Sequence, residues 1–211
     1  TPLIAITIHQ ALKANIFDQV VVSTDCSKIR KISIENGASS WFLRNKNLSK
    51  DTSPKIPVII DLLEKSEKKF KNKFDIVVDL DPTSPLRKIN DIKQALNKFI
   101  KTNCDNLITG SKPYKNPYFN MIEIKNKSLS IVKKSKKKYY TRQSSPKVYD
   151  MNASIYIWKR KALYSSNLIT KKTAFFEMPR ERSIDIDSKI DLLHVLSIIK
   201  EFKRNDLKIK I

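Results

Sequence analysis

The sequence contains little glycine and cysteine and has no long hydrophobic run. Its two glycines, Gly37 and Gly110, are too few for a Walker A loop or a G-x-G-x-x-G dinucleotide loop. Its two cysteines, Cys26 and Cys104, form neither a C-x-x-C pair nor a metal-ligand set, which favours reduced thiols in a cytoplasmic protein. No apolar stretch approaches the roughly 20 residues of a membrane span. The sequence therefore predicts a soluble protein without a membrane partner.

Acidic residues are also scarce, because 42 basic residues stand against 21 acidic ones and give a net charge of +21. Such an excess often indicates a nucleic-acid partner. The densest basic run, KKSKKK at 133–138, has no interleaved aromatic residue, so no stacking platform for bases is indicated. We interpret most lysines as solvated surface and expect no nucleic acid as partner, with a basic nucleic-acid-binding domain kept as an alternative.

Along the chain, segments with helical periodicity alternate with short apolar runs that are typical of strands. The predicted helices are 2–17, 26–38, 54–70, 89–101 and 188–203. The predicted strands are 18–25, 40–44, 74–82, 106–110, 151–158 and 174–179. This alternation predicts one α/β domain over residues 1–211, with a doubly wound parallel sheet covered by helices.

The amino-acid composition changes between residues 112 and 150, where proline, lysine, tyrosine and polar residues dominate. Two short apolar runs, YFNMIEI and LSIVKK, flank residues 125–127 and predict a hairpin that turns there. We interpret 112–150 as an insertion at the edge of the sheet.

In a sheet of this kind, ligands bind at the carboxyl ends of the strands. The polar residues that follow predicted strands are therefore candidates: residues 23–25, Arg44, Asp81 and the segment PTSPLR at 82–87. Simpler alternatives stay open, because residues 23–25 could cap the next helix and Arg44 could pair with a surface acid.

The segment RERSIDID at 180–187 places Asp185 and Asp187 two residues apart just before the last helix pattern. On an extended segment such side chains point to the same side, where a cation would relieve their repulsion. Two carboxylates that share a cation with phosphate oxygens suit Mg²⁺. The alternative for Asp187 is the N-cap of the last helix.

Several segments together carry a family resemblance, and they occur in the family's order over nearly the whole chain. They are PLIAITIHQAL, FDQVVVSTD, FLRNKNLSKDTSPK, LDPTSPLR, YTRQSSPKVYDMNASIYIW and MPRERSIDID. The chain resembles the cytidylyltransferases that activate nine-carbon α-keto sugars, the CMP-sialic acid synthetase family, and among them the legionaminic acid-type enzymes. The resemblance implies a Rossmann-like, mostly parallel sheet of the nucleotide-diphospho-sugar transferase type. It also implies a reaction of CTP with a nine-carbon keto-sugar acid to give the CMP-sugar and pyrophosphate.

The resemblance also implies roles for individual residues. Asp185 and Asp187 would bind Mg²⁺ and serve catalysis, and Arg142 would meet the carboxylate of the sugar. Asn152 and Tyr156 match sugar-site positions. The positions that match the nucleotide region are Arg44, Thr52, Ser53 and Lys55.

Some positions depart from the family pattern. Asp81 stands where sialic acid-type members have glutamine, and Phe119 lies near a position where some have lysine, which favours a substrate with an acetamido group or a deoxy tail. Lys55, with Ser53 and Pro54, replaces small residues that are usual near the base.

By the same comparison, the family's first strand and its phosphate loop, RxxSKxxxxKN, would precede Thr1, so an N-terminally truncated domain is expected. A catalytically incompetent fragment is then an alternative to an active enzyme. The family also implies a homodimer formed through residues 112–150, with residues that reach toward the neighbour's sugar site.

Overall fold

A computed structural model describes residues 1–165 and 167–204 of the chain. The helices are α1 (Leu3–Ala14), α2 (Ser27–Glu35), α3 (Lys55–Phe70), α4 (Ile89–Thr102), α5 (Arg160–Leu163) and α6 (Lys189–Arg204). The strands are β1 (Ile76–Leu80), β2 (Asn106–Ser111), β3 (Ile122–Lys125), β4 (Ser128–Ile131), β5 (Asp150–Lys159) and β6 (Thr173–Glu177). The five long helices agree with the predicted ones to within a few residues at their ends.

The main sheet has four strands in the order β1-β5-β2-β6, and it is mixed. Strand β5 runs antiparallel to both β1 and β2, while β2 and β6 are parallel. The prediction of an α/β sheet is confirmed, but a mostly parallel arrangement is not seen in these four strands. The reason is the connection: Ser111 at the end of β2 pairs with Asp150 at the start of β5, so the insertion is a long hairpin loop, which needs no crossover helix.

Two predicted strands, at 18–25 and 40–44, are reduced to one parallel bridge between Val21 and Ser39. An apolar groove of about 620 Å³ separates the first of them from the sheet, with Val20–Val22 on one wall and the edge strand β1 on another. Helices α1 and α3 supply further apolar walls, among them Ile8 and Leu63. The prediction of a sheet strand at 18–25 is therefore wrong for the described structure: Val20–Val22 are only half-buried and form no ladder to the main sheet.

The hydrophobic core lies on both faces of the sheet. Alternate residues of β5 divide between the two faces: Ile155 and Ile157 pack with α4, and Tyr156 and Trp158 pack with α3. This period-two division is the one expected for a strand that is covered on both sides. The two packed faces hold the carboxyl end of β1 and the start of β5 in fixed positions.

Gly110 is required by a close approach between two strands. A Cβ atom at this position would collide with the backbone oxygen of Asp150 and lie 2.9 Å from Phe175. The register of β2 on β5 also shifts between Ile108 and Gly110, as at a β-bulge.

The insertion contains the predicted hairpin, formed by β3 and β4. Its turn residues Asn126 and Lys127 have positive φ angles of 50° and 61°. Arg180 attaches the insertion to the rest of the domain, because its guanidinium donates to the carbonyl oxygens of Lys112 (3.0 Å) and Pro113 (2.9 Å). The same guanidinium lies 3.8 Å from the ring centre of Tyr114.

Candidate active site

Two carboxylates at the carboxyl end of β1 meet a lysine from the start of α3. Asp79 and Asp81 are two residues apart, so their side chains project to the same side. The Lys55 ammonium, at the start of α3, lies 2.9 Å from Asp79 Oδ2 and donates to Asp81 Oδ2 at 3.0 Å. Burial would lower the pKa of Lys55, but the two carboxylates outweigh it and raise that pKa above its ordinary value. The lysine is therefore charged at any physiological pH.

Thr83 orients the second oxygen of Asp81. Asp81 Oδ1 accepts from the Thr83 backbone N–H at 3.2 Å and from its hydroxyl at 2.8 Å. Burial would raise the pKa of Asp81, but the charge of Lys55 and these hydrogen bonds hold it below the usual value. Asp81 is therefore an ionised acceptor with a fixed orientation.

The segment with Asp185 and Asp187 is held against α6 by its isoleucines. Ile184 and Ile186 pack on a cluster formed by Leu86, Val195 and Ile199. Because neighbouring residues of an extended segment face opposite sides, Asp185 and Asp187 are directed away from α6. A hydrogen bond from the Ile186 N–H to the Thr83 carbonyl, at 3.0 Å, joins this segment to the loop after β1.

Asp185 is electrostatically strained. Its Oδ1 atom is buried and has no hydrogen-bond partner. Burial raises the pKa of Asp185 above its usual value, and the charges of Asp81 and Asp187 raise it further. An unpaired carboxylate oxygen next to other carboxylates is a suitable ligand atom for a hard cation.

The helix cap that was an alternative role for Asp187 belongs to Ser188. The Ser188 hydroxyl accepts from the Asp191 N–H at 3.3 Å, and Asp191 Oδ2 accepts from the Ser188 N–H at 2.8 Å. This reciprocal pair is a capping box. The capping interpretation of Asp187 is therefore wrong, and its carboxylate is not needed to begin α6.

The described residues do not form a complete metal site by themselves. In the described part of the chain, no three His, Cys, Asp or Glu side chains are grouped so that they could hold an ion. Two carboxylates that share Mg²⁺ with phosphate oxygens and water form a common arrangement. The unpaired Asp185 Oδ1 fits that role.

Buried polar residues fix the backbone around these carboxylates. The guanidinium of Arg87 donates to the carbonyl of Asp81 at 3.2 Å and to the carbonyl of Ser154. Burial lowers the pKa of Arg87 to about 10. The Asn152 amide donates to Ser183 Oγ at 2.9 Å and its Oδ1 accepts from the Thr109 hydroxyl at 2.6 Å. Asn152 thus joins the sheet to the segment that precedes Asp185.

Comparison with known proteins identifies the family. The family model described as Cytidylyltransferase matches residues 1–210. The chain belongs to the cytidylyltransferase family.

Two relatives are each 42% identical to this cytidylyltransferase. One is "Post-translational flagellin modification protein B" of Campylobacter coli, aligned over 94% of this chain and 84% of its own length. The other is "CMP-N,N'-diacetyllegionaminic acid synthase" of Campylobacter jejuni, aligned over 90% of this chain and 80% of its own length.

A solved structure shows the same fold. The structure of CMP:2-keto-3-deoxy-manno-octonic acid synthetase complexed with CTP superposes with a TM-score of 0.66 and 15% sequence identity. The match covers 96% of this cytidylyltransferase and 89% of that chain.

The residues predicted to bind the nucleotide lie in two places in the cytidylyltransferase. Arg44 donates to Ser49 Oγ at 3.0 Å and pairs with Asp25 at 3.7 Å, so it does pair with a surface acid. Thr52 and Ser53 lie in the loop before α3, where the Ser53 hydroxyl accepts from the Lys50 N–H. Lys55 instead points to Asp79 and Asp81.

The capping alternative for residues 23–25 is wrong. Helix α2 begins at Ser27, its N-cap residue is Cys26, and no side chain caps it. Thr24 Oγ1 accepts from the Cys26 N–H at 3.2 Å, which stabilises the turn before the helix. Residues 23–25 thus stay candidates for ligand contact.

The residues predicted to bind the sugar fall into two groups. Tyr156 is buried and its ring faces the Lys55 ammonium at 5.4 Å, so it belongs to the carboxylate site. Arg142 is exposed in a turn of the insertion, and Phe119 is half-buried there. None of the hydrogen bonds, ion pairs or ring contacts found among residues 1–165 and 167–204 joins Arg142 or Phe119 to Asp81.

The sequence prediction missed Asp79 because it lies inside an apolar strand and reads as part of the run IVVDL. The spacing of Asp79 and Asp81 was the available signal, since two residues on a strand share a side. Arg87 was named only as part of PTSPLR, and nothing in the local sequence shows that it is buried.

Proposed function

We propose that this chain transfers the cytidylyl group of CTP to the anomeric hydroxyl of a nine-carbon keto-sugar acid. The bond between the sugar oxygen and the α-phosphorus forms, the bond from that phosphorus to pyrophosphate breaks, and the hydroxyl loses its proton. The observation that carries the proposal is the 42% identity over 190 residues with a CMP-N,N'-diacetyllegionaminic acid synthase. We expect the enzyme to act in the cytoplasm and its product to be used for a surface glycan.

The residues of the site support distinct parts of this reaction. Asp185 and Asp187 would hold Mg²⁺, which would neutralise negative charge on the phosphates as the transfer proceeds. Asp81 would accept a hydrogen bond from the sugar, and Arg142 would bind the sugar carboxylate, for which a planar guanidinium is suited. Arg44 and residues 52–53 would contact the nucleotide. Asn152 would stabilise the structure of the site, since its side-chain amide group forms hydrogen bonds with Thr109 and Ser183.

The proposal is tested by pyrophosphate release from the protein expressed from its full reading frame. Sialic, legionaminic and pseudaminic acids are each offered with CTP and Mg²⁺, and UTP replaces CTP as a control. We expect release that requires CTP, with the highest kcat/KM for the diacetamido sugar of the legionaminic type. Absence of pyrophosphate with every sugar would contradict the proposed activity.

We also propose that the enzyme is a homodimer formed through the hairpin of β3 and β4. Ile124 and Leu129 face each other across the hairpin and are 73% and 64% exposed. Ile122, two residues before Ile124 and so on the same face, is 57% exposed. A two-stranded hairpin with an exposed apolar face is only marginally stable in water unless another surface covers that face.

Sedimentation velocity at micromolar concentration tests this assembly. The parent protein should sediment as a dimer, and the double variant Ile124→Glu/Leu129→Glu as a monomer, because two buried charges would oppose the interface. Ile190→Glu is the matched control, since Ile190 on α6 is 77% exposed and lies outside the insertion. A monomeric parent, or a dimeric double variant, would contradict the proposed interface.

A further inference from the structure

The insertion between β2 and β5 carries an excess of positive charge that the rest of the chain does not match. Residues 112–149 contain eleven basic residues and a single acidic one, Glu123, whereas the whole chain has 42 basic and 21 acidic residues. A general bias of the sequence toward lysine would not remove acidic residues from one segment. The charge of the insertion is therefore a local feature that requires its own explanation.

Most of these basic side chains have no acidic partner. In the described part of the chain, only Lys112 and Lys125 of the insertion form ion pairs, with carboxylate oxygens 3.7 Å and 2.9 Å away. The five lysines of residues 133–138, here called the lysine segment, are all exposed. Because no carboxylate of the described residues neutralises them, they project a positive potential into the surrounding solvent.

The insertion joins the sheet at the edge that carries the acidic site. It begins at the carboxyl end of β2, and β2 is parallel to β1 because both run antiparallel to β5. The carboxyl end of β1, with Asp81, therefore lies at the same edge. Arg180, five residues before Asp185, donates to the Pro113 carbonyl at 2.9 Å and so attaches the start of the insertion beside the site.

The lysine segment begins close to this attachment. The Lys133 N–H donates to the Pro117 carbonyl at 2.9 Å, and the Lys133 ammonium lies 5.3 Å from the ring centre of Tyr118. Pro117 is four residues after Pro113, which an extended chain spans in at most roughly 14 Å. The Debye length is about 30 Å at 0.01 M ionic strength. At low salt the charge of the lysine segment thus acts on the acidic edge of the sheet.

The acidic site alone would repel the substrates proposed for it. Asp79, Asp81, Asp185 and Asp187 supply four carboxylates, and the ammonium of Lys55 offsets part of their charge. CTP is a polyanion, and the sugar acid is also an anion. A positive surface next to such a site offsets the repulsion and raises the local concentration of anionic ligands.

We propose that the lysine segment attracts the nucleoside triphosphate by long-range electrostatics and raises its rate of association with the site. This inference rests on the proposed function, because CTP is the substrate proposed there. The lysines act without direct contact with the bound nucleotide. The effect should therefore increase with the charge of the ligand and weaken as salt is added.

Stopped-flow association of a fluorescent, ribose-labelled CTP analogue in the presence of Mg²⁺ tests the proposal. The test variant combines the substitutions Lys133→Gln, Lys134→Gln, Lys136→Gln, Lys137→Gln and Lys138→Gln. The matched control changes five exposed lysines at the opposite end of the sheet: Lys68→Gln, Lys69→Gln, Lys98→Gln, Lys101→Gln and Lys171→Gln. At about 0.01 M ionic strength, the association rate constant should fall by roughly tenfold in the test variant and change little in the control.

Salt and ligand charge separate this role from a direct contact. The difference between parent and test variant should disappear near 1 M salt, where the Debye length is about 3 Å. The affinity for uncharged cytidine, measured by displacement of the analogue, should be equal in the two proteins. An equal fall in the control variant, or a loss of cytidine affinity in the test variant, would overturn the proposal. An unchanged association rate with a loss of RNA binding would assign the segment to nucleic acid instead.

Failure of this inference can be separated from failure of the proposed function. The association measurement needs no turnover, whereas the proposed function is tested by pyrophosphate release. Charge-dependent association of the analogue without pyrophosphate release from any sugar would contradict only the proposed activity. Pyrophosphate release with an association rate that the five substitutions leave unchanged would overturn only the electrostatic role.

Discussion

Replacement of Asp185 by asparagine is expected to abolish turnover while leaving the fold intact. The variant removes one of the two charges proposed to hold Mg²⁺, and metal neutralisation of phosphate charge is worth several kcal/mol, so kcat should fall by about a thousandfold or more. The folded state raises the pKa of Asp185, so its ionised form opposes folding at neutral pH. We therefore expect the free energy of unfolding of Asp185→Asn to equal or exceed that of the parent.

Three further measurements test whether the loss of turnover in Asp185→Asn is due to loss of Mg²⁺ binding. Asp187→Asn should also lose activity, and Mg²⁺ together with CTP should no longer raise the melting temperature of either variant. Ser188→Ala is the control: loss of its capping box should cost about 1 kcal/mol of stability and leave the Mg²⁺ dependence unchanged. Near-normal Mg²⁺-dependent rates in both aspartate variants would exclude them as metal ligands.

Removal of Arg160 is expected to cause the largest loss of stability. Glu67 is only 7% exposed and accepts from Arg160 Nε at 2.7 Å and from a second guanidinium nitrogen at 2.9 Å. Lys73 is a further partner at 2.7 Å. Arg160→Met would leave a buried carboxylate with one cation, which should cost about 3 kcal/mol. Urea unfolding would show this as a lower midpoint with an unchanged slope.

The pH dependence of the stability lost in Arg160→Met identifies the cause of that loss. The hydrogen bonds from Arg160 are the main reason that the pKa of Glu67 falls from 4.5 to about 2. A carboxylate with a lowered folded pKa stabilises the protein above its unfolded pKa and loses that contribution as the pH falls to the folded value. The difference between parent and Arg160→Met should therefore be full above about pH 5 and shrink toward pH 2.

A matched double variant tests whether the unpaired charge is responsible. Glu67→Met/Arg160→Met removes both partners, and apolar replacement of a buried pair is often neutral. It should recover much of the stability that Arg160→Met loses. No recovery would show that packing, rather than charge, explains the loss. Activity should be unaffected, because Arg160 follows β5 at the end of the sheet opposite to Asp81.

The order of the elements and the position of the acidic site could be predicted from the sequence. Helix α4 and strand β1 were recognisable because apolar periodicity is a local property of the chain. The alternation of Ile184 and Ile186 with Asp185 and Asp187 is also local, and it predicted that both carboxylates share one side. The structure agrees, since the isoleucines pack on α6.

Other features were decided by contacts between distant segments. Periodicity shows that residues 151–158 form a strand but not its direction, which depends on the pairing of Asp150 with Ser111. The strand expected at residues 18–25 has the right composition, yet a groove separates it from β1. The carboxylates of Asp79 and Asp81 meet Lys55 only because α3 begins beside the end of β1.

By itself, the sequence determined the α/β class, the family resemblance and the presence of paired carboxylates next to the last helix. Only the tertiary structure decided which polar groups are neighbours: Lys55 lies beside Asp79 and Asp81, and Asp185 Oδ1 has no partner. It also decided that the side chain of Ser188, and not that of Asp187, caps α6 together with Asp191. The physical reason is that local patterns encode which face of an element is buried. The partner of a charged side chain depends on how separate elements pack together, and Lys55 and Asp81 are 26 residues apart in the chain.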